Sequence, residues 1–422
     1  MPMSNFPTGF LAGLTVRGMP LLQTQPGNVF WVDNSYNPTG SPQSPGYNQT
    51  RAVGGSDKNQ GTYQRPFATI AQALSVCQQG NGDIIFLKPG HVEHITGAGT
   101  TAAVTDQTGN ITVSGGTTIA FNVSGVAIIG LGSGPLRPTL IFDTAAAANI
   151  PVQAANMSIQ NVLHQINFAA VVSAYTAASA SVTASISGSL MTVTVVGSGT
   201  LYPGSVLLSS GTGFIKGTMI LSQVSGTTGG VGVYTVSQRQ TVVSGTITTG
   251  TIDFNIENCE FRDLSSTLNL ITVYTDSGTA NASDGFRFRG NRVSSLGTTA
   301  ATTAIVLSAN CDRLIITDNF GCSAVLNDTA AILAAGTAQL TNFELSRNIW
   351  ERPNTSSTGG SFVSGSGNAW TGMASDNYLY QVDNSAGIWI ATGHGSAFGY
   401  QNNYSPITGA VDKSGLINPA AV

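Results

Sequence analysis

Apolar and polar residues alternate along much of the chain in short runs, as in "GFRFRGN" (285–291) and "NFELSRN" (342–348). A period of two is the signature of a strand with one buried face. The runs end at Asn or Gly, residues that tolerate the left-handed backbone of a sharp corner. The corners share a phrase: "IENCEF" (256–261), "FRGNRV" (288–293), "ITDNFG" (316–321), "LSRNIW" (345–350), "ASDNYL" (374–379) and "YQNNY" (400–404). Its first positions are Ile256, Phe288, Ile316, Leu345, Ala374 and Tyr400, separated by 32, 28, 29, 29 and 26 residues. Upstream, "IQNV" starts at Ile159 and "IIGL" at Ile128, 31 residues apart.

A repeat of this length built from strands predicts a solenoid in which each repeat is one coil. The expected fold is all-β: a right-handed parallel β-helix. Stacked coils would place Ile128, Ile159, Ile256, Phe288, Ile316 and Leu345 in one buried column. The corner Asn residues would form a ladder of amide hydrogen bonds. An Asn-rich β-sandwich can carry such phrases too, but their near-constant spacing favours the solenoid.

Other segments lack the phrase. Residues 65–177 are read as a capping helix followed by the first coils. In "RPFATIAQALSVC", Pro66 suits a helix start, and Phe67, Ile70, Ala71, Leu74 and Cys77 recur at helical spacing. "DIIFLKPG" reads as strand and turn. The spacing from Ile159 to Ile256 is 97 residues. Residues 178–250, β-rich and interrupted by Gly-Ser-Thr turns, are therefore expected to form a small inserted β domain; two irregular coils with long loops are the other reading. Residues 251–422 carry the remaining coils. Residues 1–35 form an arm with Phe6, Phe10, Leu14, Leu21, Leu22, Phe30 and Trp31 among prolines and glycines. Those side chains need a partner surface to bury them. Residues 36–64 have linker composition.

Charge narrows the partners. Only 9% of the 422 residues are charged, and the net charge is −4. Sixteen Lys and Arg cannot form a nucleic-acid stripe, and no like-charge block suits an anionic membrane. The N-terminal stretch has no basic region, and its apolar residues are broken by Pro and Gly. No signal peptide or spanning helix is expected. Four irregularly spaced cysteines suggest buried free thiols in a reducing cytosol.

Candidate chemistry is sparse. "HVEH" puts His91 and His94 on opposite sides of a strand, poorly placed for one metal, and these residues read as solvent-facing. Asp83 reads as a corner cap. Glu257, Glu260 and Asp263, with Arg262, cluster around one corner; two carboxylates on adjacent coils could serve a glycosidase, and Asp284, Asp312 and Asp318 could join them. Trp350, Trp370, Tyr378, Tyr380 and Trp389 could form glycan platforms. No catalytic set, cofactor or metal is expected.

The run "GSD…GT…PFATI..AL" followed by "GDIIFLKPG" resembles the start of many pectate-lyase-like β-helix proteins. The opening "FPTGF…GLTVRGMPLLQTQPGNVFWV" and the coil region resemble tailed-bacteriophage β-helix proteins of the head decoration, or cement, type. This resemblance implies a non-enzymatic virion protein on the capsid surface, made in the host cytoplasm. Its implied partners are the major capsid protein and other copies of itself in a homotrimer, with the arm as the attachment device. A tail fibre or tailspike that binds or depolymerises a host surface glycan is the alternative.

Overall fold

In the computed structural model of the protein, the described residues are 14–16, 19–21, 27–34, 55–95, 119–142, 148–166, 173–210, 213–263, 272–295, 303–323, 330–352, 361–365, 370–381, 398–405 and 415–416. They form an all-β parallel solenoid. Three parallel sheets run its length, and each coil contributes one short strand to each sheet in its regular part. Face one has ten strands, from Val29–Val32 to Phe398–Gln401. Face two also has ten, from Val92–Ile95 to Gly415–Leu416, the last of these antiparallel. Face three has six, from Ile150–Val152 to Ser361–Ser364.

On face one, Phe30, Ile85, Ile128, Ile159, Ile256, Phe288, Ile316, Leu345, Ala374 and Tyr400 are matched rung by rung. Ile128, Ile159, Ile256, Phe288, Ile316 and Leu345 are all fully buried. Two left-handed corners bracket these three-residue strands. Asn156, Asp253, Gly285, Arg313 and Asn342 lie three residues before the column, and Asn161, Asn258, Gly290, Asp318, Arg347, Asp376 and Asn402 lie two after it, all with positive φ. The recurring phrase is thus one inward residue, one outward residue and a left-handed corner.

The fourth position of the phrase turns inward. Asn291, Asn319, Asn348, Asn377 and Asn403 are buried and stacked. Asn319 Nδ2 donates to Phe288 O on the preceding coil and to Asn348 Oδ1 on the next, both at 2.9 Å. Its Oδ1 accepts the Asn291 backbone N–H at 2.9 Å. The ladder satisfies backbone groups that the corner removes from the sheets. Cys259 holds the first rung. Its N–H donates to Asn291 Oδ1 at 2.8 Å, and its thiol points at Ile159 O.

Face two carries a second column, five residues after the first: His164, Phe261, Val293, Gly321, Trp350 and Leu379. Gly321 is required there, because a Cβ would lie 2.2 Å from the Trp350 ring.

The N-terminal end departs from the sequence reading. Phe30 and Trp31 are not part of a free arm. Their strand, Val29–Val32, pairs with Ile84–Leu87 as a rung of the solenoid. Phe30 packs on the core, and Trp31 contacts Phe86 and Tyr63 with ring centroids 4.9 Å apart in each case. Residues 55–64 do not behave as a linker either: Trp31 N–H donates to Gly61 O, and Ser56 N–H to Pro66 O. The capping helix is Ile70–Val76, four residues later than Pro66, because Thr69 Oγ1 accepts the Gln72 N–H and Glu93 Oε2 accepts the Ile70 N–H. Before this, Leu14–Val16 and Met19–Leu21 form an antiparallel hairpin. Phe6, Phe10 and Leu22 lie outside the described residues.

Residues 180–250 leave the solenoid after Tyr175–Ala177 and form an antiparallel sheet. Its long strands are Ala180–Gly199 and Gly232–Gly250. Val206–Ser210 and Ile220–Gly226 flank them and are joined through Ile220 N–H to Ser205 O and Leu207 N–H to Thr218 O. The sheet curls around a core of its own, including Val182, Ile186, Met191, Tyr234, Val242 and Ile247. Ala155 N–H to Gly204 O, Asn156 N–H to Ile252 O and Thr251 N–H to Ala282 O tie the insert to the coils.

Candidate functional surface

The "IENCEF" corner puts Glu257 outward on face one and Glu260 outward on face two. Neither carboxylate stands open. Glu260 lies between Arg137, at 3.0 Å on one oxygen, and Arg262, at 2.7 Å on the other. Glu257 is 3.6 Å from Arg289 on the next coil. The Asp263 side chain lies outside the described residues. A glycosidase pair needs one carboxyl group that holds a proton and one that is free to attack or to activate water. Both carboxylates are engaged by arginines, Glu260 by two of them, and the arrangement is that of a structural clamp between strands and coils.

The aspartates are corner brackets. Asp284 accepts the Asp312 N–H at 2.8 Å and the Asn281 amide, while burial pushes its carboxyl up from the usual range. At Asp312, burial is outweighed by hydrogen bonds from Thr341, Asn342 and Arg313, which hold the carboxyl low. Asp318 is lowered chiefly by the two-point contact with Arg347, at 2.6 and 2.8 Å. Arg313 reaches Asp253 at 3.7 Å. Among the described residues, no group of three His, Cys, Asp or Glu comes together that could hold a metal ion. None of their helices is long and apolar enough to cross a membrane.

"HVEH" is solvent-facing only in part: Val92 and His94 are half-buried on the outer side of their strand. His91 and Glu93 are buried, since residues 91, 93 and 95 turn inward at the capped end. His91 Nδ1 accepts the Asn34 N–H at 3.1 Å, and its Nε2 meets Glu93 Oε2 at 3.2 Å. Asp83 is buried too. It accepts the N–H groups of Asn28 and Gln78 and the Asn81 amide. These groups join the first strand, the capping helix and the second coil.

The aromatic platforms are also reassigned. Trp350 and Trp370 are buried, the first in the face-two column and the second donating from Nε1 to Ala338 O at 3.0 Å. Trp389 and the Tyr380 side chain lie outside the described residues. Tyr378 alone of the five is placed at the surface, and it belongs to an outward row on face two. Phe320, Ile349 and Tyr378 pair on consecutive rungs and are 37%, 44% and 38% exposed. Arg292, one rung earlier, sits over the Phe320 ring at 5.4 Å. Sequence reading missed this row, although it stands four residues after the face-one column at each coil. The four cysteines are free thiols, two buried and two half-buried, and burial pushes all four thiols up.

No family model and no curated protein matches the chain. Solved structures that resemble it include a rhamnogalacturonan lyase, at 11% identity over 89% of this chain and 87% of that one, with a TM-score of 0.33. The tailspike gp61 of Pseudomonas phage phi297 shares 9% identity over 68% of this chain and 62% of its own, with a TM-score of 0.17. The mannuronan C-5 epimerase AlgE6 A-module of Azotobacter vinelandii shares 9% over 79% and 92%, with a TM-score of 0.20. At these scores the likeness adds nothing to what the parallel sheets already establish.

Proposed function

We propose that the protein is a structural component of a tailed-phage virion, a decoration protein whose solenoid stands on the capsid as a trimer. The observation that carries this reading is the state of the groups best suited to glycan chemistry. Glu257 and Glu260 are clamped by Arg289, Arg137 and Arg262, and Trp350 and Trp370 lie inside the solenoid. Such side chains lock coils together. The attachment device in this reading is the segment before Val29, which holds the hairpin and Phe6, Phe10, Leu14, Leu21 and Leu22. Its partners are the major capsid protein and further copies of the chain, and it engages neither nucleic acid nor membrane.

The test is deletion of residues 1–26, which spares the strand Val29–Val32. The truncated protein is expected to keep its β-rich circular dichroism and to stop binding particles that lack it. Wild-type occupancy by the truncated protein would place the contact elsewhere. Release of reducing ends or unsaturated sugars from host polysaccharide by the full chain would favour the tailspike reading instead.

A further inference from the structure

The chain has one Asn-Gly step, Asn81–Gly82, and one Asp-Gly step, Asp284–Gly285. Such steps are the most open to cyclic imide formation, because glycine puts no side chain in the path of the ring. The nucleophile is the glycine backbone nitrogen, so a hydrogen bond that holds its N–H holds the reaction back. The structure separates the two steps. Gly285 N–H donates to Asp312 O at 2.7 Å, and the Asp284 carboxyl group is occupied by the Asp312 N–H and the Asn281 amide. Gly82 N–H has no hydrogen-bond partner among the described residues. Asn81 and Gly82 are half-buried, in the turn between the helix Ile70–Val76 and the strand Ile84–Leu87, so solvent reaches them. The Asn81 side chain points forward along the chain. Its Nδ2 donates to Asp83 Oδ1, two residues on, at 2.7 Å, which carries Cγ towards the Gly82 amide.

We propose that Asn81 is a site of spontaneous hydrolytic modification, where the folded chain loses an amide and gains a carboxylate. The Gly82 nitrogen attacks Asn81 Cγ. The N–Cγ bond forms, the Cγ–Nδ2 bond breaks, and Nδ2 leaves as ammonia with the proton that Gly82 gives up. Water then opens the imide at one of its two carbonyls. The product is aspartate, or its isomer in which the main chain runs through the side-chain carbons. Nothing is oxidised or reduced.

What Asn81 holds makes the change matter. Asp83 is fully buried and accepts the Asn28 N–H at 2.7 Å and the Gln78 N–H at 2.8 Å, so its carboxylate fastens the start of the first rung to the end of the helix. The Asn81 amide is its third donor. Conversion sets a second carboxylate against the first, and like charges at a buried site repel with little solvent to screen them. The isomer also lengthens the main chain in a tight turn, where a Cβ on Gly27 would stand 2.0 Å from the Gly82 carbonyl oxygen. The capped end is therefore where the solenoid ages first. Asn28, from which the segment before Val29 departs, is among the groups released.

The test is peptide mapping by mass spectrometry on the full chain, kept folded in mildly alkaline buffer until a parallel sample in denaturant has converted. The folded chain is expected to show the amide-to-acid mass gain at Asn81 ahead of every other asparagine. Asn81→Gln, whose longer side chain closes a ring far more slowly, should not show it. An intact Asn81 in the folded sample, or earlier conversion at another asparagine, overturns the proposal. For the consequence, Asn81→Asp should melt below Asn81→Ser, which also lacks the amide but adds no charge. If Asn81→Asp does not fold, aged wild-type protein separated by ion exchange takes its place. Equal melting temperatures would overturn the weakening of the capped end.

Discussion

The coils and the insert are two β structures in one chain that reach order differently. In the coils, each rung pairs with the rungs on either side, so the stabilising contacts are repeated and local in space. Their charges sit at corners and clamp neighbouring coils, as Arg347 clamps Asp318. The insert has no repeated phrase. Two long strands, each about twenty residues, curl around a private core. It holds no carboxylate, and its only charged residues are Lys216 and Arg239. Half of the exposed large apolar side chains among the described residues are in it, Val224 and Val243 included. A solenoid distributes its stability over nearest neighbours, whereas the insert should open as one unit.

The sharpest break of this contrast is a core truncation on one side only. Trp350→Ala should lower solenoid stability by about 3–5 kcal/mol, as removal of a buried aromatic does. Hydrogen exchange should show coils losing protection while the amides of 180–250 keep theirs. Equal loss in both would mean that coils and insert fold as one unit.

Acid should also act on the coils. His164 is buried between Phe142 and Phe261, 2.6 Å from the Tyr175 hydroxyl. Burial pushes its pKa from 6.5 down to about 3. The unfolded chain therefore takes up the proton first, and stability is lost as pH falls from about 6.5 towards 3. The loss should be about 3 kcal/mol between pH 6.5 and pH 4. Melting curves of wild type and His164→Leu over this range should converge towards low pH. Parallel curves would show that His164 is not held neutral.

Asn319→Ala should cost about 2–3 kcal/mol, because it strands the Asn291 N–H and the Phe288 carbonyl in the interior. Chemical denaturation would read the change, and a cost below about 0.5 kcal/mol would mean that the ladder is ornamental. The smallest effect is expected at the surface. Arg347→Gln should cost at most about 1 kcal/mol, less at high salt, since both partners are substantially exposed. The Asp318 carboxyl is held low by Arg347, so this contribution is present at neutral pH and fades as pH drops below about 4.

The same contrast explains what could be read in advance. The face-one column and the Asn ladder were legible because one corner fixes their spacing at every coil. The face-two column follows at a constant five residues and was legible by the same rule, which would have turned Trp350 inward. Face three was not. Tyr175, Tyr274, Ile305, Leu333 and Val363 follow their face-one residues by 16 to 18 residues, because the connecting segments vary. The capped end has no phrase at all. Phe30 and Trp31 therefore read as loose aromatics, and His91 and Glu93 as surface residues, when pairing with Ile84–Leu87 and capping of the helix bury or half-bury them. Paired charges hid the nature of the Glu257–Glu260 corner, since proximity in sequence does not reveal the Arg137 and Arg289 partners on other coils.

The most direct test of the structural-virion account is to locate the chain on the particle. A reconstruction of virions, with and without antibody fragments raised against the insert, should show rods of this protein on the head, three to a site, with label at their flanks. Density and label confined to the tail tip, with the head bare, would contradict it.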